Sequence, residues 1–286
     1  MLASLRDTGM RLADIAGLIG VSVVFAPAVF AMARVWTAHE YYSHGFLVPV
    51  VAWWLFAAQR RALGPPGRDP RGLTALALSA LLLSAGFALG SPTVLGLAVV
   101  GAVASLVLTA WGPAGLRRVA FPVGFLLFMV PLPPALLDPL ILRLQLWVSS
   151  AGVNALQALG FSVLREGNVV VLPGDQQLFV DEACSGITSV VTLLPLGAVL
   201  AHLGARDWPR RTLVMLAVVP IAMFGNWVRV LGTVVAAQRF GTDRVLAGPL
   251  HESAGLITFL FACSLLVGLG ALLRSRPAPG RAVARA

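Results

Sequence analysis

Long uninterrupted apolar runs constrain the fold of this chain more than any other feature. A helix needs about 20 apolar residues to cross the hydrocarbon core of a bilayer, within a range of about 17–25 residues. Runs that fit this range cover residues 15–37, 72–90, 94–111, 184–203, 212–237 and 253–273. Their number and length predict an all-α polytopic membrane protein.

Two shorter apolar runs, 45–59 and 119–132, raise the predicted number of transmembrane helices to about eight. The first of them contains Trp53 and Trp54 and is followed by Arg60. Aromatic residues followed by a cation are typical of a helix end at the membrane interface, so we count both runs as spans.

The segment 135–160 has a different pattern. Asp138, Arg143 and Gln145 interrupt it, while its apolar residues recur at helical spacing. It is therefore predicted to be an amphipathic helix at the membrane interface, or a re-entrant helix. Further along, NVVVL and QLFVD flank Pro173, Gly174 and Asp175 and predict a short β-hairpin over residues 168–181.

The composition excludes other classes of protein. Apolar residues make up 58% of the chain and charged residues 12%, whereas soluble domains carry about 25% charged residues. The net charge of +9 and the pI near 11.4 could suggest nucleic-acid binding. In so apolar a chain they indicate a membrane protein instead, with lipids and not nucleic acid as partners. Two cysteines are too few for a disulfide-stabilised fold.

The basic residues, all of them Arg, indicate the orientation. If the N-terminus is cytoplasmic, most of the 21 fall in cytoplasmic segments, as the positive-inside rule requires. Both termini are then cytoplasmic. The first span is predicted to remain uncleaved; the alternative is a signal peptide that ends near AVFAMA. We expect one membrane-embedded domain over 1–273, with an outer segment 131–183 inserted before the sixth span, and a disordered basic tail over 274–286.

The outer side of this topology gathers several chemically active residues. Cys184 begins the sixth span directly after the predicted hairpin. Asn226 and Arg229 lie three residues apart on one face of the seventh span, and His251 and Glu252 begin the eighth. Three consecutive spans therefore bring Cys184, Arg229 and His251 to the same membrane face.

These three residues could carry out nucleophilic catalysis. A thiol at a helix N-terminus or beside a cation has a lowered pKa and becomes a nucleophile, and Asp181 could cap the helix that Cys184 begins. His251 could take the thiol proton and return it to a leaving group, while Arg229 could stabilise an oxyanion. Gly186 leaves room for a substrate backbone.

Structural interpretations of the same residues stay open. Cys184 could be a small buried hydrophobe, Arg229 could reach the interface or pair with an acidic neighbour, and His251 could cap its helix. Structural roles are expected for Cys263 and His202, and interfacial or supporting roles for His39 and His44. No cofactor is expected, and no metal, because the His-Glu pair at 251–252 lacks the second His of a zinc motif.

Several stretches of this chain resemble the exosortase family, bacterial membrane transpeptidases or proteases for PEP-CTERM-type sorting signals, whose archaeal counterparts are the archaeosortases. The stretches occur in family order: YYSHGFLVPV (41–50), FMVPLPPALLDPLILRLQLWVS (128–149), LREGNVVVLPG (164–174), VDEACSGITSV (180–190), FGNWVRV (224–230) and LHESAG (250–255). The resemblance implies an active site of Cys184, Arg229 and His251. It also implies substrates that are exported proteins whose C-terminus carries a short motif, a transmembrane helix and a basic tail, in systems that accompany exopolysaccharide production.

The predicted function is therefore acyl transfer through a thioester at the periplasmic face of the bacterial inner membrane. Glu252, Asp181 and Asn226 are expected to orient the site, with His44 in support. The hairpin could bind the extended sorting motif by strand addition. Two alternatives stay open: a polysaccharide-export subunit with a polar path along Arg229, Glu166 and Asp138, and a membrane acyltransferase that uses His251. The sequence specifies no oligomeric state.

Overall fold

A computed structural model describes residues 12–173, 176–179, 186–205, 207–242, 245 and 249–274. Of the described residues 83% are helical, and they include one small three-stranded sheet. The predicted all-α polytopic membrane fold is confirmed.

The helices follow one another with short connections. In chain order they are α1 (Leu12–Ala38), a 3₁₀ helix (Glu40–Phe46), α2 (Leu47–Arg60), α3 (Pro70–Ala88), α4 (Pro92–Arg118), α5 (Ala120–Phe125), a second 3₁₀ helix (Leu126–Met129), α6 (Pro134–Ala158), α7 (Ile187–Gly204), α8 (Trp208–Phe240) and α9 (Pro249–Leu272). The sheet lies between α6 and α7 and consists of β1 (Leu164–Glu166), β2 (Val169–Leu172) and β3 (Gln176–Phe179).

Six helices among the described residues are long and apolar enough to cross a membrane, namely α1, α3, α4, α7, α8 and α9. Only 11–44% of the most apolar stretch of each is buried within the protein. Many of their large apolar side chains are exposed, among them Val23, Phe30, Leu78 and Leu216, as expected of helices in contact with lipid. The chain is therefore a multi-pass membrane protein.

The predicted number of eight spans is not confirmed. α2 has only 14 residues, and the run 119–132 folds into α5 and a 3₁₀ helix. Pro131 and Pro133 follow that 3₁₀ helix, and proline removes the backbone donor that a continuing helix needs. Counting α5 and α6 as one broken span gives a maximum of seven.

The predicted helix over 135–160 is present as α6. Its buried residues recur at helical spacing and include Leu137, Ile141, Val148 and Leu156. Arg143 and the large apolar residues Leu142 and Trp147 share its exposed surface. This mixture agrees with an amphipathic helix, and its position at the membrane interface stays a prediction.

The chain divides into two compact units, Met1–Leu137 and Asp138–Ala286. In the first unit α3 and α4 pack closely through small residues. The positions that a Cβ would occupy at Gly86 and Gly101 lie 2.7 Å from Leu95 Cδ2 and Ser79 Oγ, respectively. Glycine and serine at such positions let helix backbones approach each other, as is common within membranes.

In the second unit α8 packs against both α7 and α9. Its buried residues Val214, Val218 and Ala222 share a core with Leu193 of α7 and Leu266 of α9. Small residues again allow close packing, since a Cβ at Gly225 would lie 3.5 Å from both Thr258 O and Ala262 Cβ.

The sheet is antiparallel, with strand order β1-β2-β3. The predicted hairpin is confirmed as β2 and β3, with Leu172 paired to Gln176 and Val170 to Leu178. We did not predict β1, which pairs with β2 across the turn Gly167-Asn168. The buried face of the sheet packs on α6 and the C-terminal half of α8.

Candidate functional site

Asn226 and Arg229 belong to the same face of α8. The apolar run 212–237 forms most of this helix. Residues three apart in a helix are neighbours on its surface. The Asn226 side chain is only 3% exposed, whereas Arg229 is half-buried. Thr233, one turn further along, donates its hydroxyl proton to the Arg229 carbonyl oxygen at 2.9 Å. A cation and an amide are thus held among apolar residues.

Gly186 brings the N-terminal end of α7 against this face. Its φ of +87° is left-handed, a conformation that glycine adopts most readily. A Cβ at Gly186 would lie 3.0 Å from Met223 Sδ and 3.3 Å from Asn226 Nδ2. The space that the missing side chain leaves is therefore filled by α8, and we had expected a substrate backbone there.

Gly255 brings α9 against the same face. A Cβ at Gly255 would lie 3.2 Å from Cζ and Nη2 of Arg229 and 3.4 Å from its Nη1. The guanidinium group therefore packs directly on the backbone of α9. The sequence analysis included Gly255 in the stretch LHESAG but assigned it no role, although it lies one helical turn after His251.

α7 and α9 both run antiparallel to α8. Along α8 and α9, Gly225 lies near Thr258 and Arg229 near Gly255, so residue numbers rise on one helix as they fall on the other. Along α7, Gly186 lies near Asn226 and Gly197 near Val218. The N-terminal ends of α7 and α9 consequently lie at the same end of this three-helix group, beside Asn226 and Arg229.

This geometry is electropositive. The N-terminal end of a helix carries a partial positive charge of about half an elementary charge. The end of α9 lies close to the Arg229 guanidinium, and the end of α7 lies against Asn226, one turn away on α8. Positive charge in an apolar environment can stabilise a thiolate, a carboxylate or the oxyanion of a tetrahedral intermediate. The arrangement therefore suits chemistry in which negative charge develops.

The predicted catalytic residues differ in how far they are described. The backbones of His251 and Glu252 belong to the first turn of α9, one turn before Gly255. Their side chains lie outside the described part of the chain, as do Cys184 and Asp181. Cys184 precedes Gly186 by two residues.

His44 belongs to the first unit, in the 3₁₀ helix Glu40–Phe46, where its Nε2 donates to Phe128 O at 3.0 Å. Burial lowers its pKa, and hydrogen bonding to the backbone of Phe128 and Tyr41 partly opposes this shift. Two aromatic side chains also form hydrogen bonds with the backbone of this segment. Trp36 Nε1 donates to Met129 O at 2.9 Å, and Tyr42 Oη accepts from Leu132 N at 2.7 Å. Together they satisfy backbone groups where the chain breaks before Pro131 and Pro133.

Other features of the described residues include none of these candidates. A cavity of about 490 Å³ in the first unit is lined by Arg68, Asp69, Arg71 and Trp111 among others, and by none of the candidate residues. Within the described part of the chain, no group of three His, Cys, Asp or Glu side chains could bind a metal ion.

Comparison with known proteins identifies the family. The family model described as transmembrane exosortase matches residues 36–268, which is most of the chain and includes all the candidate residues. No curated protein and no solved structure gives a significant match. The ordered motifs, the helical membrane fold and the extent of this match agree, and the chain belongs to the transmembrane exosortase family.

Proposed function

We propose that this protein is a membrane-embedded cysteine protease or transpeptidase that cleaves the C-terminal sorting signal of exported proteins. The observation that carries the proposal is that Gly186 packs on Asn226 and Gly255 packs on Arg229, which are one turn apart on α8. These two glycines belong to the segments that bear Cys184 and His251. One face of α8, with the Arg229 cation on it, is thereby in contact with the chain segments to which Cys184 and His251 belong.

Covalent geometry limits how far the three residues can be from one another. Two residues of extended chain span about 7 Å, so Cys184 must lie within that distance of Gly186. Four residues of helix span about 6 Å, so the backbone of His251 lies one turn from the glycine on which Arg229 packs. These distances support a single site.

In the proposed reaction, the Cys184 sulfur attacks the carbonyl carbon of a peptide bond just outside the substrate's transmembrane helix. His251 takes the thiol proton, and the carbonyl π electrons move onto oxygen, where Arg229 stabilises the negative charge. The C–N bond then breaks as His251 returns the proton to the departing amine. Water, or an amine or hydroxyl of an acceptor, resolves the thioester and releases the thiol.

Each neighbouring residue has a supporting role in this proposal. The N-terminal end of α7 and the Arg229 charge favour the thiolate form of Cys184. Asp181, Asn226 and Glu252 orient the catalytic groups. Gly186 allows the close contact of α7 with α8.

The substrate is proposed to bind in extended form along β3. This strand is the last in the sheet order and ends five residues before Cys184. An extended peptide can add to such an edge by main-chain hydrogen bonds. The proposed location is the periplasmic face of the bacterial inner membrane with both termini cytoplasmic, as the arginine distribution suggests, and the proposed role is surface protein sorting linked to exopolysaccharide.

The test uses an epitope-tagged exported protein from the same genome that ends in a transmembrane helix and a basic tail. It is co-expressed with the full chain, and its processing is followed by the change in mass. We expect C184A to abolish processing, while C263A, the matched control at the other cysteine, leaves it intact.

A thiol-reactive probe and mass spectrometry then show which cysteine is reactive. Selective labelling of Cys184 supports the proposal. Normal processing by C184A would overturn it, as would equal labelling of both cysteines in the folded protein. Either of these results would favour a transporter or an acyltransferase that needs no thiol.

A further inference from the structure

The contact between Gly255 and Arg229 has a specific geometry. The position that a Cβ would occupy is almost equally distant from Cζ, Nη1 and Nη2 of the guanidinium, at 3.2, 3.4 and 3.2 Å. A point in the plane of the group would be clearly closer to a nitrogen than to the central carbon. The point therefore lies above the plane, and the flat face of the guanidinium packs on the backbone of α9.

This packing determines where the donors of Arg229 point. The N–H groups of a guanidinium lie in its plane in a fixed fork. With one face against α9, they point along the surface of that helix and not into it. The backbone of His251 belongs to the same face of α9, one turn before Gly255.

We propose that Gly255 is a positioning residue that fixes the plane of the Arg229 guanidinium and thereby orients its donors towards the reacting carbonyl oxygen. This inference rests on the proposed function. Gly255 touches no substrate in this proposal; it acts through Arg229. A long arginine side chain can adopt many rotamers, and packing on the bare backbone at Gly255 restricts the orientation of its planar group.

An added methyl group would disturb this arrangement without preventing folding. A Cβ at 3.2 Å is tighter than ordinary van der Waals contact, so the guanidinium must shift by a few tenths of an ångström. The atoms that must move are the far end of a flexible side chain, whereas the backbones of α8 and α9 can stay. Oxyanion stabilisation depends on donors at 2.7–3.1 Å, and small misplacements of catalytic groups can cost about a hundredfold in rate.

The test compares G255A with G268A in the full-length protein. Gly268 lies on the same helix, and a Cβ there would meet nothing within 4 Å. We expect G255A to lower the rate of processing by about tenfold to a hundredfold at unchanged substrate binding, and G268A to leave the rate within about twofold of wild type.

A double-mutant cycle with R229K separates positioning from a general packing defect. Lysine lacks the planar group, so adding G255A to R229K should change the rate by less than about twofold. The labelling rate of Cys184 by a thiol probe is measured in the same four proteins with C263A present, because this readout does not require turnover. It should respond to G255A only when Arg229 is present.

Equal effects of G255A with and without R229K would overturn the inference, as would wild-type rates in G255A or an equal loss in G268A. The result for C184A keeps the two proposals apart. If C184A is inactive and G255A is as active as wild type, the positioning role is wrong and the proposed function stands. If C184A processes substrate normally, the proposed function itself fails.

Discussion

Gly186 packs against Asn226 with a left-handed backbone, and a Cβ at Gly186 would lie 3.3 Å from the amide nitrogen Nδ2 of Asn226. Replacing Gly186 therefore destabilises the protein in two ways. A non-glycine residue with this φ is strained by about 1–2 kcal/mol, and the added methyl group also crowds α8. The contact connects the segment that bears Cys184 to the face that bears Arg229.

G186A is therefore expected to lower both stability and processing. Gly160 offers a matched control, because its φ is +85° and a Cβ there would meet nothing within 4 Å. G160A should show the strain alone. Thermal unfolding in detergent and the processing assay should both rank G186A below G160A, and equal losses in the two variants would contradict a role for the contact with Asn226.

Trp36 is expected to stabilise the first unit through its buried hydrogen bond to Met129 O at 2.9 Å. W36F keeps an aromatic ring but removes the donor, and an unsatisfied buried carbonyl costs about 1–3 kcal/mol. Trp53 is 66% exposed, so W53F is the control. Thermal unfolding should show a lower midpoint for W36F than for W53F, and similar midpoints would argue against the hydrogen bond.

We expect the free energy of unfolding to depend on pH in the mildly acidic range because of His44. Burial lowers its pKa in the folded protein below the ordinary value of 6.5, so below pH 6.5 the unfolded chain binds more protons than the folded one. Stability should therefore be fully present above pH 6.5 and fall as the pH decreases towards the lowered pKa. Unfolding midpoints measured at several pH values should show this loss in the wild type and a smaller one in H44Q. The same slope in H44Q would show that other groups cause it.

Hydropathy predicted the six long transmembrane helices because each run is long enough to need no tertiary information. The shorter runs 45–59 and 119–132 were harder to assign. The helix α2 has only 14 residues, and the prolines at 131 and 133 interrupt the helix that the second run would form. β1 was missed because its three residues are all exposed and show no alternation. The turn signal Gly167-Asn168 was present and would have indicated it.

The candidate site was predictable only in part. Spacing places Asn226 and Arg229 on one face of a helix, and topology groups them with the segments of Cys184 and His251. The contact between Arg229 and Gly255 depends instead on the register of α8 against α9. That register follows from packing such as Gly225 against Ala262, which no local pattern reveals.

The edge of β3 supplies the last prediction. Successive backbone N–H groups of a strand point to opposite sides, so of the two exposed residues Gln176 and Gln177, one directs its N–H towards β2 and the other away from it. Proline removes this donor. Of Q176P and Q177P, one should therefore lose a sheet hydrogen bond and stability, while the other should keep the stability of the wild type.

If the extended substrate adds to this edge, the stable variant should process substrate with a higher KM and a nearly unchanged kcat, because ground-state and transition-state binding weaken together. Wild-type kinetics in the stable variant would exclude strand addition at β3.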